Sequence, residues 1–309
     1  SFELLSKFVA NRQASALKTA TSHIRKTLSV IPKMTKNKYT EETDRMVNEL
    51  ITNNILRHTV QFFKKGKTRL KPFGSGVFAK IHNDYFILTA SHVADFFEKN
   101  PKEELRIRVN KKSFINVLGD IKYTDIDKSK GLDLAYIKVD KQMIEPLCKP
   151  YIPLEIGKIR SHHKLFHAMN YCVLGYPETN ITKESESFDT GASFYLTSAS
   201  KDNRYQKYKY DKKDYIIVDM QGKGKDIKTN ETSKIDTHFY GISGCGLWLL
   251  LFYKNPLTGK NEVDYRLVGI MTEFKNSKYF CLIANKIYFL IEALKVIEKH
   301  KFKEVKIQY

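Results

Sequence analysis

No stretch of the sequence approaches the roughly 20 consecutive apolar residues that a membrane-spanning helix needs, so a helical bilayer crossing is not expected. The opening segment, SFELLSKFVANRQASALKTATSHIRK, also lacks the apolar core and small-residue cleavage site of a secretory signal, although a leader removed before residue 1 stays open. Cysteine is scarce. Cys148, Cys172, Cys245 and Cys281 lie far apart and form no C-x-x-C pair, which argues against a zinc site and against a disulfide framework. Read as reduced and mostly buried, the thiols predict a cytoplasmic protein, and with no spanning run or signal segment the chain reads as soluble, with no membrane partner expected. Acid is in deficit: 34 Asp and Glu against 53 Lys and Arg leave a formal charge of +19. Such a field attracts polyanions, but the excess is mostly Lys and is spread over loops instead of one helix face. It accompanies abundant Asn, Ile and Tyr, the drift of an AT-rich genome. No repeat period is present.

What remains is globular in composition. The 309 residues, 42% hydrophobic and 28% charged, can bury a large core in one big domain or two ordinary ones. Residues 1–57 read as a helical appendage: Leu4, Leu5, Phe8, Val9, Leu17, Ile24 and Leu28 recur at helical spacing up to Pro32. A second helix follows Thr40 as N-cap and carries Met46, Leu50, Ile51 and Ile55. From Thr59 the pattern becomes short apolar runs divided by polar turns, among them SGVFAKI, YFILTASHV, LDLAYIKV, YCVLGY, DYIIVDM, GLWLLLFY and YRLVGIMTEF. Strands at such intervals, with no regular helices between them, predict a mainly β barrel or sandwich. Ile287, Leu290, Ile291, Leu294 and Ile297 predict a C-terminal amphipathic helix. Residues 178–240 stand apart as a long polar stretch with only two clear strands, of the kind that is functional or mobile when it interrupts a compact domain.

Directly after that stretch comes Tyr240-Gly241-Ile242-Ser243-Gly244-Cys245-Gly246-Leu247-Trp248. A serine between glycines on a tight turn that feeds an apolar strand is suited to nucleophilic attack, and the Gly241 and Ser243 amides could converge on an oxyanion. Alone, the string also fits an ordinary turn. A second motif, GSGVFAKIHNDYFILTASHV, predicts a hairpin turning at His82-Asn83-Asp84 whose second strand ends at His92, where a general base can sit at a barrel rim. A third, Gly131 to Val139, puts Asp133 at the mouth of an alternating strand, where a carboxylate can fix an imidazole tautomer. Asp125 and Asp127 compete for that role from a polar turn.

Three further groups have weaker claims. His162, His163 and His167 include an i, i+4 pair but no nearby acid to complete a metal site. The alternation Tyr205-Gln206-Lys207-Tyr208-Lys209-Tyr210 fits a solvated hairpin, or a stacking platform for single-stranded nucleic acid. Cys245 is a small hydrophobe or, less simply, a rival nucleophile.

In the order His92, Asp133, Ser243, these strings resemble the trypsin-like serine peptidases, and LVGIMTEFKNSKYFCLIANKIYFLIEAL resembles the last strands and helix of their HtrA-type branch, without a PDZ-like segment following. The resemblance spans roughly residues 59–296. It implies two six-stranded antiparallel barrels, within residues 58–155 and 156–309, with the site between them. It also implies Ser243 as nucleophile, His92 as general base, Asp133 as its orienter and the Gly241 and Ser243 amides as oxyanion hole. The substrate pocket would draw on Thr237, Met271, Thr272 and Glu273; Glu273 either favours a basic side chain or is an exposed strand-end acid. No cofactor or metal is implied. Ile242 stands where zymogens of the family carry an Asp, so activation by an ion pair to a new N-terminus is not expected. Protein or peptide is the expected substrate, a regulatory protein acting through residues 1–57 or 178–240 an expected partner, and nucleic acid the lesser alternative.

Overall fold

The computed structural model describes residues 41–65, 70–100, 104–124, 131–162, 165, 170–177, 181–184, 187–220, 223–226, 232–234, 240–275 and 280–299, with residues 41, 97–98, 181–184, 187–190, 223–226 and 232–234 given by backbone alone. The expected first helix, Pro32 and Thr40 lie outside these. The second helix is present: Glu41–Leu50 continues through a π turn, Ile51–Ile55, into Leu56–His58. Val47, Ile51 and Ile55, each four residues apart, are its buried face, while Met46 and Leu50 are only partly covered.

The first sheet contains β1 (Thr59–Lys65), β2 (Leu70–Ile81), β3 (Asp84–Thr89), β4 (Glu104–Arg108), β5 (Phe114–Asn116), β6 (Gly119–Tyr123), β7 (Ala135–Val139) and the short β8 (Leu154–Glu155). Its order is β5-β4-β1-β2-β3-β7-β6, with β8 added parallel to β2. The hairpin turn between β2 and β3 is His82-Asn83, where His82 adopts a positive φ of 56°. Among the described residues no ladder joins β5 to β6, so this sheet is a half-barrel rather than a closed ring.

The second sheet is built from β9 (Tyr171–Gly175), β10 (Ile181–Glu184), β11 (Ser187–Thr190), β12 (Ser193–Ala199), β13 (Tyr215–Asp219), β14 (Lys223–Asp226), β15 (Thr232–Lys234), β16 (Gly246–Lys254), β17 (Asn261–Lys275) and β18 (Cys281–Lys286), except that β10 and β11 pair only with each other. The path β13-β18-β17-β16-β9-β12 returns to β13 and closes six antiparallel strands into a barrel, from which β14 and β15 extend off β12. The chain passes from the first sheet to this one just after β8, and Ile159 bridges to Leu267 of β17.

Three apolar layers explain why many strands read as unbroken apolar runs. In β16, Leu247 and Leu249 point into the closed barrel while Trp248 and Leu250 point the other way, into a cluster shared with Val77, Ala79, Phe86 and Leu88 of the first sheet. Phe78 and Ile87, on the opposite face of β2 and β3, fill the interior of the half-barrel. Strands covered on both faces lose the alternation of a half-solvated strand. The middle layer also receives the helix beginning at Glu41 and the C-terminal helix Tyr288–Ile297, through Leu290, Ile291 and Leu294.

Two expectations are corrected. The strand expected to end at His92 stops at Thr89, and the short helix Ser91–Ala94 carries the histidine. Residues 205–210 are not a strand pair, because Asp202–Tyr208 is a helix that Lys209 ends in the left-handed conformation. The buried Tyr205 hydroxyl accepts the Ile217 N–H at 2.9 Å, and Tyr208 and Tyr210 pack around the same small core, so burial overrides the local alternation.

Candidate active site

His92 stands one residue past the start of a short helix, Ser91–Ala94, that follows β3. The Ser91 hydroxyl ties this helix to Thr124 C=O at 2.5 Å. Asp133 lies in the loop before β7. Thr124 brackets it, since the Thr124 hydroxyl donates to Leu132 C=O at 2.5 Å and accepts Leu134 N–H at 3.0 Å. From the second sheet the buried Asn285 of β18 accepts the Asp133 N–H on its Oδ1 at 3.0 Å. The carboxylate is thus aimed by groups on both sides of the cleft. Its Oδ2 lies 2.6 Å from His92 Nδ1, and its Oδ1 accepts the His92 backbone N–H at 3.0 Å.

A carboxylate at Nδ1 favours the neutral tautomer with its proton on Nδ1, which leaves Nε2 as an acceptor. Burial alone pulls the His92 pKa down, but the hydrogen bond and charge of Asp133, with the charge of Asp95, outweigh it and hold the ring above its ordinary value. Lys99 opposes this weakly and is itself paired with Asp95 at 2.5 Å.

Ser243 enters from the second sheet on the turn before β16. A Cβ placed on Gly244, where φ is +85°, would lie 2.1 Å from both Ser75 C=O and Thr89 Oγ1, so glycine alone fits there. The same contacts bring the serine turn against the end of β3, three residues before His92. Gly74 touches both sides: a Cβ there would lie 3.0 Å from Val93 and 3.3 Å from Ser243 C=O. The turn is braced by Gly244 N–H donating to Met271 C=O at 2.7 Å and by Ser75 N–H donating to Ser243 C=O at 2.8 Å. Ile242 is buried in the closed barrel, against Gly175. Among the described residues, neither Gly241 N–H nor Ser243 N–H donates to a backbone carbonyl, and Ser243 Oγ makes no hydrogen bond, to His92 Nε2 or otherwise.

The structure therefore brings together His92, Asp133 and the Gly241–Ser243 turn at the seam of the two sheets. Asp125, Asp127, Thr237, His163 and His167 lie outside the described residues. Met271 is buried, and its backbone braces the turn. Thr272 is half-buried, with its hydroxyl 3.4 Å from Ile283 C=O. Glu273 is spoken for by the Tyr210 hydroxyl and the Lys275 ammonium. Cys245 is fully buried and burial pushes its thiol far up, which suits a packing role. Ser75, Thr124 and Asn285 escaped the sequence reading; the only local signal was a polar residue within an otherwise apolar strand, at Ser75 and Asn285. Among the described residues no group of His, Cys, Asp and Glu is arranged to hold a metal.

No family model matches the sequence, and no curated protein matches it. Among solved structures the chain is similar to the protease Anisep from Arthrobacter nicotinovorans, at 11% identity and TM-score 0.44, over 77% of this chain and 94% of that one. It is also similar to neuropsin, a serine protease expressed in the limbic system of mouse brain, at 15% identity and TM-score 0.48, over 77% of this chain and 93% of that one.

Proposed function

We propose that the chain is a serine endopeptidase. In this reading Ser243 Oγ attacks the peptide carbonyl, His92 Nε2 takes the hydroxyl proton and returns it to the leaving amine, and Asp133 steadies the imidazolium. The acyl-enzyme is then hydrolysed by water through the same base. The observation that carries the reading is the doubly held His92-Asp133 pair, with a serine turn of two uncommitted amides packed against the strand end that leads to His92. The absent Ser243 to His92 bond is compatible with it, since catalytic hydrogen bonds are often loose before substrate binds. The half-buried Thr272 and the Glu273 carboxylate, on the strand that braces the turn, are the proposed substrate-side contacts. With Tyr210 and Lys275 already on Glu273, that acid is a weak selector for basic side chains.

A second reading, a silent scaffold that binds nucleic acid or protein, is favoured by the +19 charge. A fluorophosphonate probe separates the two. Covalent labelling that maps to Ser243 and is lost in Ser243→Ala supports the peptidase. An unlabelled protein that binds RNA or DNA with steep salt dependence supports the scaffold.

A further inference from the structure

We propose that Ser75, on β2 of the half-barrel, is the positioning residue of the oxyanion turn, clamping both of its ends from across the cleft. The proposal rests on the peptidase reading above, and its test separates the two. The Ser75 hydroxyl donates to Gly241 C=O at 2.7 Å, and the Ser75 N–H donates to Ser243 C=O at 2.8 Å. One residue of the first sheet thus holds the carbonyls on either side of Ile242, in the second.

The geometry explains why such a clamp is needed. Gly241 has φ of +95° and, lacking a Cβ, meets little steric resistance to other backbone angles. Its N–H and its C=O lie in different peptide planes, joined only by glycine's permissive φ and ψ, so the turn swings easily unless one of those planes is held. Pinning Gly241 C=O fixes the plane it shares with Ile242 N–H, and pinning Ser243 C=O fixes the plane it shares with Gly244 N–H, so the Gly241 and Ser243 N–H groups each adjoin a held plane. With both planes held, the turn has fewer ways to swing its two amides, and a preorganised pair of donors is the arrangement that stabilises a developing charge most.

Ser75 is well placed to act as a fixed point. It is fully buried in the middle of β2, between β1 and β3, and its own carbonyl accepts the Thr89 hydroxyl at 2.8 Å. Gln61, directly opposite on β1, puts a buried carboxamide on the same face, yet neither of its polar atoms has a partner among the described residues. Among those residues the Ser75 hydroxyl is the group that holds Gly241 C=O.

The test compares wild type with Ser75→Ala, and with Ser75→Cys as a near-isosteric second variant should the first fail to fold. A misplacement of this kind lowers kcat by about 10²-fold. The expected pattern is that loss at unchanged KM, a parallel loss of affinity for a peptide aldehyde that forms a tetrahedral adduct, and an unmoved pH midpoint, since His92 is untouched. Unchanged kcat and aldehyde affinity would overturn the proposal, and so would a loss that tracks a shifted pH midpoint. Amide exchange gives a readout independent of activity: exchange at Gly241–Gly244 should quicken in the variant while β3 stays protected. If wild type proves inert to fluorophosphonate, the peptidase reading fails and exchange decides the clamp by itself, with unchanged exchange refuting it.

Discussion

Asp133 grips His92 at two points, with Oδ2 2.6 Å from ring Nδ1 and Oδ1 accepting the backbone N–H of the same residue at 3.0 Å. The second bond ties the acid to main chain, so the carboxylate stays in place as the ring's partner. In Asp133→Asn the amide keeps one acceptor but offers an N–H donor to a ring nitrogen, and favours the wrong tautomer. Turnover at neutral pH should fall roughly 10⁴-fold with little change in stability. Peptide hydrolysis by the purified variant checks this. If that loss appears with Asp125→Asn or Asp127→Asn instead, the role moves there.

The pH dependence follows from the same pair. Net stabilisation of the charged ring raises the His92 pKa, and only neutral imidazole can accept the serine proton. The acid limb of kcat/KM should therefore have its midpoint above the ordinary value of about 6.5, and Asp133→Asn should move that midpoint down. A limb in the wild type centred below that value would contradict the proposed base.

Ser243→Ala should abolish hydrolysis and fluorophosphonate labelling, lowering turnover by about 10⁶-fold. The change removes one half-exposed hydroxyl that makes no hydrogen bond among the described residues, so the melting temperature should hold. Cys245 gives no substitute nucleophile, because it is fully buried with its thiol held protonated. Residual thiol-dependent cleavage in the variant would reverse that assignment.

The parts of this molecule legible in the sequence are those fixed locally. The His82-Asn83 turn, the strand β3 that leads to His92 and the glycine turn around Ser243 each carry their own pattern within a dozen residues. What escaped is what distant chain segments decide. Ser75 finds Gly241 across 166 positions and Asn285 finds Asp133 across 152, and no periodicity announces either contact. The helix Asp202–Tyr208 was hidden for a related reason: alternating Tyr and Lys suits a strand, but Tyr205 is drawn into a core that only the folded barrel supplies. The hairpins β10–β11 and β14–β15 lack the apolar alternation by which strands are recognised.

His58 predicts an acid limit to stability. It is buried between the sheets, stacks on Trp248 at 6.0 Å, and shares hydrogen bonds with Ile152 C=O at 2.7 Å and the Tyr265 hydroxyl at 2.8 Å. Burial is the main cause that lowers its pKa; the Ile152 hydrogen bond opposes it, and the charges of Lys158 and Arg57 add to it. The unfolded chain therefore binds this proton first. Folding should be insensitive to His58 above about pH 6.5 and should lose stability as pH falls below it, until the folded-state pKa is reached. Thermal melts of wild type and His58→Leu across that range should show a shallower acid slope in the variant, which will also be less stable overall by about 1–3 kcal/mol for the stranded Tyr265 and Ile152 groups. Equal slopes would assign the acid sensitivity elsewhere.

Ile242 holds the serine turn by packing. Its side chain is buried in the closed barrel against Gly175, so the residue between the Gly241 and Ser243 amides is fixed by apolar contact. Such an anchor is present as soon as the barrel folds, and the turn should be competent without proteolytic activation. Ile242→Ala should cost about 2–5 kcal/mol of stability through the cavity it leaves. It should also slow fluorophosphonate labelling under conditions where the variant is fully folded, because the turn loses its inner support. Ile242→Asp should fare worse, since a carboxylate placed there has no partner and carries an unpaired buried charge. Denaturant midpoints and labelling rates measured on the same samples separate the two effects. Wild-type labelling by a destabilised but folded Ile242→Ala would show that the turn is held by its hydrogen bonds alone, and the packing latch would have to be given up.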